Sequence, residues 1–414
     1  MPDRPVILGC DMVSPLGTDL DGQVEAALRG DSGIGPLTRF ELPTGFPVTV
    51  AGEVPEFDAS GFDFLKPRAM AHWFSPVFKH ALLVVHRALE RSGVVIDDEL
   101  APRVATTFSS AIGGLDAVLA ADRRMQADGR LPHPFVNPNA CINMVGGKVS
   151  ILTGATGPIT TSITACATGC SSLITGAMLL AAGEADVALC GAVDFPLVEP
   201  IVAGFATMNG AYKTRPGESP EPAAVSRPFS ADRRGFVVSE GAAAFVLATT
   251  EFAAAHGLQP ELELAGWAMT SDAHHFVAPH RPTVARCMAR AIAHAGVAPA
   301  AIDAVNAHAT STKVGDRIEV EALRDVFGQR LPPVTANKSL VGHCMGAASA
   351  IETVLAAAGL LRGELPPTIN QRPDAELGLD SLVVERRSLQ QRTVLKNAFG
   401  FGGCNACLVL RRVA

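Results

Sequence analysis

Cys166 stands among small residues, in Ile163-Thr164-Ala165-Cys166-Ala167-Thr168-Gly169-Cys170. It follows a strand-like run, Gly157 to Ser162, and precedes a helical apolar stretch from Ser171 to Ala182. A thiol at a strand-to-helix turn is well placed for a nucleophile, and small neighbours leave room for a carbonyl substrate. The free N–H groups and positive dipole end of the helix favour a thiolate. They would raise its share above the few per cent implied at neutral pH by an ordinary pKa of about 8.5. A small buried hydrophobe is the other reading of a free cysteine, and the commoner one. Three further turns carry reactive groups: Asn306-Ala307-His308-Ala309-Thr310-Ser311-Thr312, Lys338-Ser339-Leu340-Val341-Gly342-His343, and the Gly-rich Asn397 to Asn405. Together they add two imidazoles, a lysine and a pliable backbone turn. A lone histidine or a lone glycine-rich loop proves little.

The elements that must hold these turns alternate along the chain. Strand-like runs such as Val104–Phe108, Val187–Gly191 and Ala243–Leu247 are interleaved with helical candidates at Val77–Ser92, Thr283–Ala295 and Ile318–Phe327. This predicts an α/β layered architecture. The pattern also echoes itself. Cys166 precedes an Ala/Leu helix ending near Gly183-Glu184. Strand-like Val334–Asn337 and the Lys338–His343 turn precede a second such helix, Ala347 to Leu361, which stops at Gly363-Glu364. Both helices have apolar residues on every face, so both belong in the centre. Two related halves facing each other would bring both turns to one site; chance likeness of Ala-rich helices is the alternative.

Composition narrows the function classes. With 48% hydrophobic and 18% charged residues, the chain can bury a large core. A net charge of -7 argues against a general nucleic-acid binder. No run approaches the ~20 apolar residues of a membrane span, and no secretory leader is recognisable. Nine scattered cysteines then suggest a reducing cytoplasm. Cys404 and Cys407 form a CxxC without a second pair or a histidine cluster, so no metal site is expected.

The joint pattern is more specific than its parts. Thr164-Ala165-Cys166, Asn306 to Thr312, Lys338-Ser339 with Gly342-His343, and Gly400-Phe401-Gly402-Gly403 resemble the motif set of the β-ketoacyl-[acyl carrier protein] synthases, above all the elongating type II enzymes. The likeness runs from Val13-Ser14-Pro15-Leu16-Gly17 through Arg227 to Val237 into the last strand-like run. It implies a thiolase-type fold, a five-layer αβαβα sandwich of two related halves, which we divide at 1–255 and 256–414. It implies an obligate dimer, homodimeric or paired with a chain-length-factor-like subunit. It also implies an acyl carrier protein as partner, whose phosphopantetheine arm carries the substrates, with no cofactor.

By the same resemblance, Cys166 takes the acyl group, and the N–H groups of Cys166 and Phe401 hold the thioester oxygen. Phe401 gates the acyl chain. His308 and His343 polarise the malonyl oxygen, backed by Lys338, which pairs with Glu352. Thr310 and Thr312 bond the pantetheine amides, while Asp316 and Glu319 order the local structure. Ile112, Phe205 and, across the dimer, Cys141-Ile142 bound the acyl pocket. Lys66, Arg68, Lys213 and Arg215 are candidates for steering an acidic carrier. Val277 departs from the usual threonine, Ala111 and Ala309 stand where glycine is frequent, and Cys404 replaces a polar residue. These changes spare the reacting groups and alter the pocket wall, hinting at a specialised polyketide or polyene substrate. Two other readings exist. A thiolase would use Cys404 as acid/base, and a non-catalytic chain-length subunit would lack the nucleophile.

Overall fold

The computed structural model describes residues 4–413. Nine strands among them form the main sheet. They are β1 (Val6–Val13), β2 (Val104–Thr106), β3 (Val187–Asp194), β4 (Gly241–Ala248), β5 (Leu262–Ser271), β6 (Ala304–Asn306), β7 (Val334–Thr335), β8 (Thr393–Gly400) and β9 (Cys404–Arg412). The helices that matter here are α1 (Pro76–Ser92), α2 (Asn143–Thr153), α3 (Thr168–Ala181), α4 (Arg281–His294), α5 (Lys313–Phe327), the single turn α6 (Lys338–Val341) and α7 (Met345–Arg362).

The strands run in the order β2-β3-β4-β1-β5-β9-β8-β6-β7. The join in the middle is thin: β1 meets β5 only through Val6 and Ile7, opposite Glu263 and Leu262. Two sheets therefore enclose α3 and α7. Alternation along each strand builds the layers. Ala188, Cys190 and Ala192 of β3, Phe245 and Leu247 of β4, and Leu408 and Leu410 of β9 share one core with the two helices. The alternate residues Val187, Leu189 and Val193 pack with α1 and α2. Cys407 and Val409 pack with α4 and α5. The result is five layers, αβαβα, in a mixed sheet.

The internal echo extends to the strand order of the main sheet. In the first half the spatial order is the 158–160 segment, β2, β3, β4, β1. In the second it is β7, β6, β8, β9, β5. The 158–160 segment matches β7, although it is no regular strand: an isolated bridge joins Ile159 to Thr106. The strand-like run at 157–162 is thus extended chain on a sheet edge. The nucleophile turn before α3 and the Lys338–His343 turn before α7 are then equivalent positions. Each region also holds a non-glycine residue in the left-handed conformation, Ala165 at φ 49° and Met345 at φ 47°, at a cost of about 1–2 kcal/mol each.

Small residues make the central layer possible. A Cβ on Gly169 would sit 2.5 Å from the backbone nitrogen of Ala350, so α3 and α7 touch backbone to backbone there. α7 is long and apolar enough to cross a membrane, yet 83% of it is buried inside the fold. The expectation of an all-round buried helix holds for α7 but only partly for α3, where Met178 is 52% exposed.

Candidate active site

The turn at Thr164–Ala167 aims Cys166 into a cleft of about 370 Å³. His308, His343, Phe401, Thr310 and Thr312 also line it. Cys166 Sγ lies 3.1 Å from His343 Nε2. The His308 and His343 rings stand edge to face with centroids 5.8 Å apart. The site is therefore built across the halves, the thiol from one and both imidazoles from the other.

Burial dominates the electrostatics. It pushes the Cys166 thiol up to about 11, against the pull of Lys338 and of the Phe401 and Cys166 N–H groups. The expected gain in thiolate at the helix start is thus outweighed, and the resting nucleophile is a thiol. Both N–H groups still point at the sulfur. His308 and His343 are held well below the ordinary histidine value, first by burial and then by Lys338. Both imidazoles are neutral at pH 7.

Lys338 fixes how one of them works. Its Nζ donates to Glu352 Oε1 at 2.7 Å and to the His308 carbonyl at 2.6 Å. It lies 3.4 Å from His308 Nδ1. An ammonium only donates, so Nδ1 must accept and the His308 proton sits on Nε2. The lysine backs His308 directly, rather than both histidines equally. A second lysine, Lys396, donates to Glu352 Oε2 at 2.6 Å.

Asp316 and Glu319 hold the loop that carries His308. Glu319 accepts the N–H groups of His308 and Ala309 at 2.8 and 2.7 Å. Asp316 accepts those of Thr310 at 3.0 Å and Phe229 at 2.7 Å. This loop presents Thr310 and Thr312 side by side, their hydroxyls 3.0 Å apart. The glycine-rich segment is a tight hairpin between β8 and β9, with Gly402 and Gly403 at φ 82° and 74°. Gly402 N–H donates to Phe276 O at 2.8 Å and Asp272 N–H to Gly403 O at 2.9 Å, which ties the hairpin to the 272–279 loop. Val277 of that loop lines the cleft.

Ile112 and Phe205 lie elsewhere. They pack with Phe401 against an apolar cluster around Leu197, Val202 and Phe236 and are not among the cleft-lining residues. Phe401 thus has the cleft on one side and this cluster on the other. Ile142 lies against Gly113 of its own chain. Lys213 Nζ donates to Asn209 Oδ1 at 2.5 Å, and Asn209 lines the cleft. Arg215 is exposed nearby in sequence, its N–H bonded to Glu218. Lys66 is exposed and paired with Asp63 at 2.5 Å. Lys66 and the exposed Arg68 are absent from the cleft lining. Cys404 does not line the cleft either, so it is not placed as a second reacting thiol beside Cys166. Cys404 and Cys407, three apart on β9, point to opposite faces.

Sequence reasoning missed two buried residues. Lys396 interrupts an apolar strand, and that interruption was its signal. Asp194, at the end of β3, accepts Ser110 Oγ at 2.6 Å and the N–H groups of Ile112 at 2.8 Å and Gly346 at 2.7 Å. It joins the Ile112 turn to the start of α7.

Comparison with known proteins agrees with this geometry. Residues 3–253 match the family model "Beta-ketoacyl synthase, N-terminal domain" and residues 262–372 match "Beta-ketoacyl synthase, C-terminal domain". The chain is 36% identical over 99% of both sequences to 3-oxoacyl-[acyl-carrier-protein] synthase 2 of Coxiella burnetii. Among solved structures it resembles a beta-ketoacyl synthase from Burkholderia phymatum (31% identity, TM-score 0.90) and the ishigamide ketosynthase/chain length factor (30% identity, TM-score 0.90), each covered in full along with this chain. Matched by both family models and by a full-length relative above 30% identity, the chain belongs to the β-ketoacyl synthase family.

Proposed function

We propose that the chain is an acyltransferase that condenses an acyl group, held as a thioester on Cys166, with malonyl-[acyl carrier protein]. The products are 3-oxoacyl-[acyl carrier protein] and CO₂. The observation that carries this is the Cys166–His343 contact of 3.1 Å with His308 beside it and Lys338 behind.

In the first half-reaction Cys166 Sγ attacks the acyl thioester carbonyl. The new C–S bond forms, the bond to the carrier sulfur breaks, and the Cys166 proton goes to that sulfur, which leaves as a thiol; His343 keeps its proton on Nε2, the nitrogen 3.1 Å from Cys166 Sγ. The N–H groups of Cys166 and Phe401 hold the oxyanion, each worth on the order of 3 kcal/mol. In the second, the malonyl thioester oxygen sits between the two imidazoles. Loss of CO₂ leaves an enolate whose oxygen is held by N–H donors. Its carbon attacks the acyl-enzyme, the C–S bond to Cys166 breaks, and the freed thiolate takes up a proton from solvent to restore the thiol. Neutral donors suffice for this, which suits two histidines kept unprotonated by burial. Thr310 and Thr312 line the approach, where their hydroxyls can bond the amides of the carrier arm.

An acyl carrier protein is the donor partner on this reading, as the name of the Coxiella relative indicates for that protein. Lys213, bonded to the cleft-lining Asn209, is the best-supported docking cation of the four, with Arg215, Lys66 and Arg68 as further candidates. A dimer is supported by the open sheet edge at 158–163, where Ile159 and Ile163 are about half exposed beside exposed Ile151 and Met178. The ishigamide relative, a ketosynthase/chain length factor, makes a heterodimer as reasonable as a homodimer. All nine cysteines are free, which supports a reducing, cytoplasmic setting.

Intact-mass measurement with a panel of acyl-carrier thioesters tests the function. We expect an acyl adduct that disappears in Cys166→Ala, and its preferred mass identifies the chain. No adduct from any acyl donor refutes the proposal.

A further inference from the structure

Lys396 breaks the pattern of its strand. On β8, Val394 and Ala398 face the central core, and Lys396 shares their face by alternation. It is 0% exposed. A lone buried ammonium costs several kcal/mol, and an apolar residue would fill the position without that cost. Its Nζ donates to Glu352 Oε2 at 2.6 Å and to Asn397 O at 2.7 Å. Glu352 is already paired with Lys338 through its other oxygen, at 2.7 Å. One carboxylate is thus shared by two ammonium groups in the dry interior.

We propose that Lys396 is a further positioning residue of the condensing site, giving the buried Lys338–Glu352–Lys396 cluster one net positive charge beneath the histidine pair. This rests on the condensing function proposed above. A neutral Lys338–Glu352 pair would orient His308 equally well, but it would exert little net field on the imidazoles or on a developing enolate. The second lysine supplies that field without touching substrate.

The groups facing the two imidazoles come from several elements. Lys338 is on α6, Glu352 on α7, Lys396 on β8 and Glu319 on α5. Cys166 faces His343 from its turn, and Asp194, at the end of β3, acts on Cys166 by raising its thiol. Among these, Lys338 and Lys396 both disfavour protonation of His308 and of His343, in addition to burial. Lys396 therefore extends toward acid the range over which both rings stay neutral.

The test is the pH dependence of malonyl-carrier decarboxylation, followed as CO₂ release. Lys396→Met should move the acid limb up by on the order of one pH unit, whereas Lys396→Arg should keep it at the wild-type position. The double variant Lys396→Met/Glu352→Gln restores one net positive charge through Lys338. It should bring the limb back, and it carries the test if the single variant does not fold. A limb that stays in place in Lys396→Met while the rate merely scales down overturns the proposal. So does a double variant whose limb remains displaced. Acylation of wild-type Cys166, read by intact mass, reports separately on whether the condensing reading itself fails.

Discussion

Gly400 is where the nucleophile turn and the Phe401 hairpin meet, and a single methyl group tests that contact. A Cβ at 400 would lie 2.3 Å from Thr164 O, 3.2 Å from the Cys166 nitrogen and 3.3 Å from Ala165 Cβ. Ordinary contact begins near 3.4 Å, so relief requires a movement of about 1 Å between two backbones. Neither can yield freely. Thr164 precedes the strained Ala165, and Thr164 N–H and Oγ1 are held by Thr168 and Ser171 at 3.0 and 2.6 Å. On the other side, β8 is paired along its length with β9. Gly400→Ala must therefore part the Cys166 N–H from the Phe401 N–H, the two donors of the proposed oxyanion hole. A misplacement of this size costs roughly 10²-fold in rate, while overpacking costs about 1–3 kcal/mol of stability. The assay is the rate of Cys166 acylation by an acyl-carrier thioester, read by intact mass, beside a denaturant melt. Gly402→Ala is the control. Its left-handed φ imposes strain, but its Cβ meets only Cys404 Sγ at 4.0 Å, so it should lose stability with much less effect on acylation. A wild-type acylation rate in folded Gly400→Ala would refute the shared-donor geometry.

Alkylation of Cys166 by iodoacetamide should rise about tenfold per pH unit between pH 7 and 10, because the thiol is pushed up to about 11 and only the thiolate reacts. Lys338→Met should slow it at any fixed pH, since Lys338 is the strongest influence favouring the thiolate; a plateau below pH 9 would contradict the buried-thiol description. Glu319→Gln replaces an acceptor of two backbone N–H groups and the Asn397 amide by an amide whose NH₂ must face one of these donors. It should cost about 1–3 kcal/mol in a urea melt, and an unchanged midpoint would show that the His308 loop is held by other contacts. Thr310→Val with Thr312→Val should raise KM for the carrier-bound donor several-fold and leave kcat nearly unchanged; an unchanged KM removes both hydroxyls from the carrier path.

The sequence was most legible where chemistry and alternation coincide. Cys166, His308, Lys338 and His343 each sit in a turn that ends an apolar element, so both their reactivity and their placement could be read. The Lys338–Glu352 pair followed from the resemblance, because a buried lysine needs an anion. What resisted reading was tertiary. Residues 157–162 have strand-like composition, yet they have a sheet neighbour on one side only and stay irregular. The Cys166 turn looks poised for a thiolate, but the enclosing layers exclude water and reverse the balance. Lys396 reads as one polar residue in a strand until α7 brings Glu352 beneath it. Ile112 and Phe205, expected to bound the acyl pocket, pack with Phe401 away from the cleft lining, a relation that depends on how separate segments pack.

The site also explains why the central helices are so crowded with small residues. The thiol is attached to α3 and the imidazole nearest it to the turn before α7, so the 3.1 Å contact depends on the separation of these two helices. That separation is set where Gly169 meets Ala350, with Cys170 N–H donating to Ser349 Oγ at 3.1 Å. Larger residues there would part the helices and stretch Cys166 from His343. The same α7 carries Glu352, which holds Lys338 from α6 and Lys396 from β8. One helix thus fixes both the Cys166–His343 distance and the Glu352 carboxylate shared by the two lysines. The duplicated fold supplies two equivalent turns. The sequence then differentiates them, one carrying Cys166 and the other Lys338 and His343, while the tight α3–α7 contact keeps Cys166 and His343 within hydrogen-bond reach.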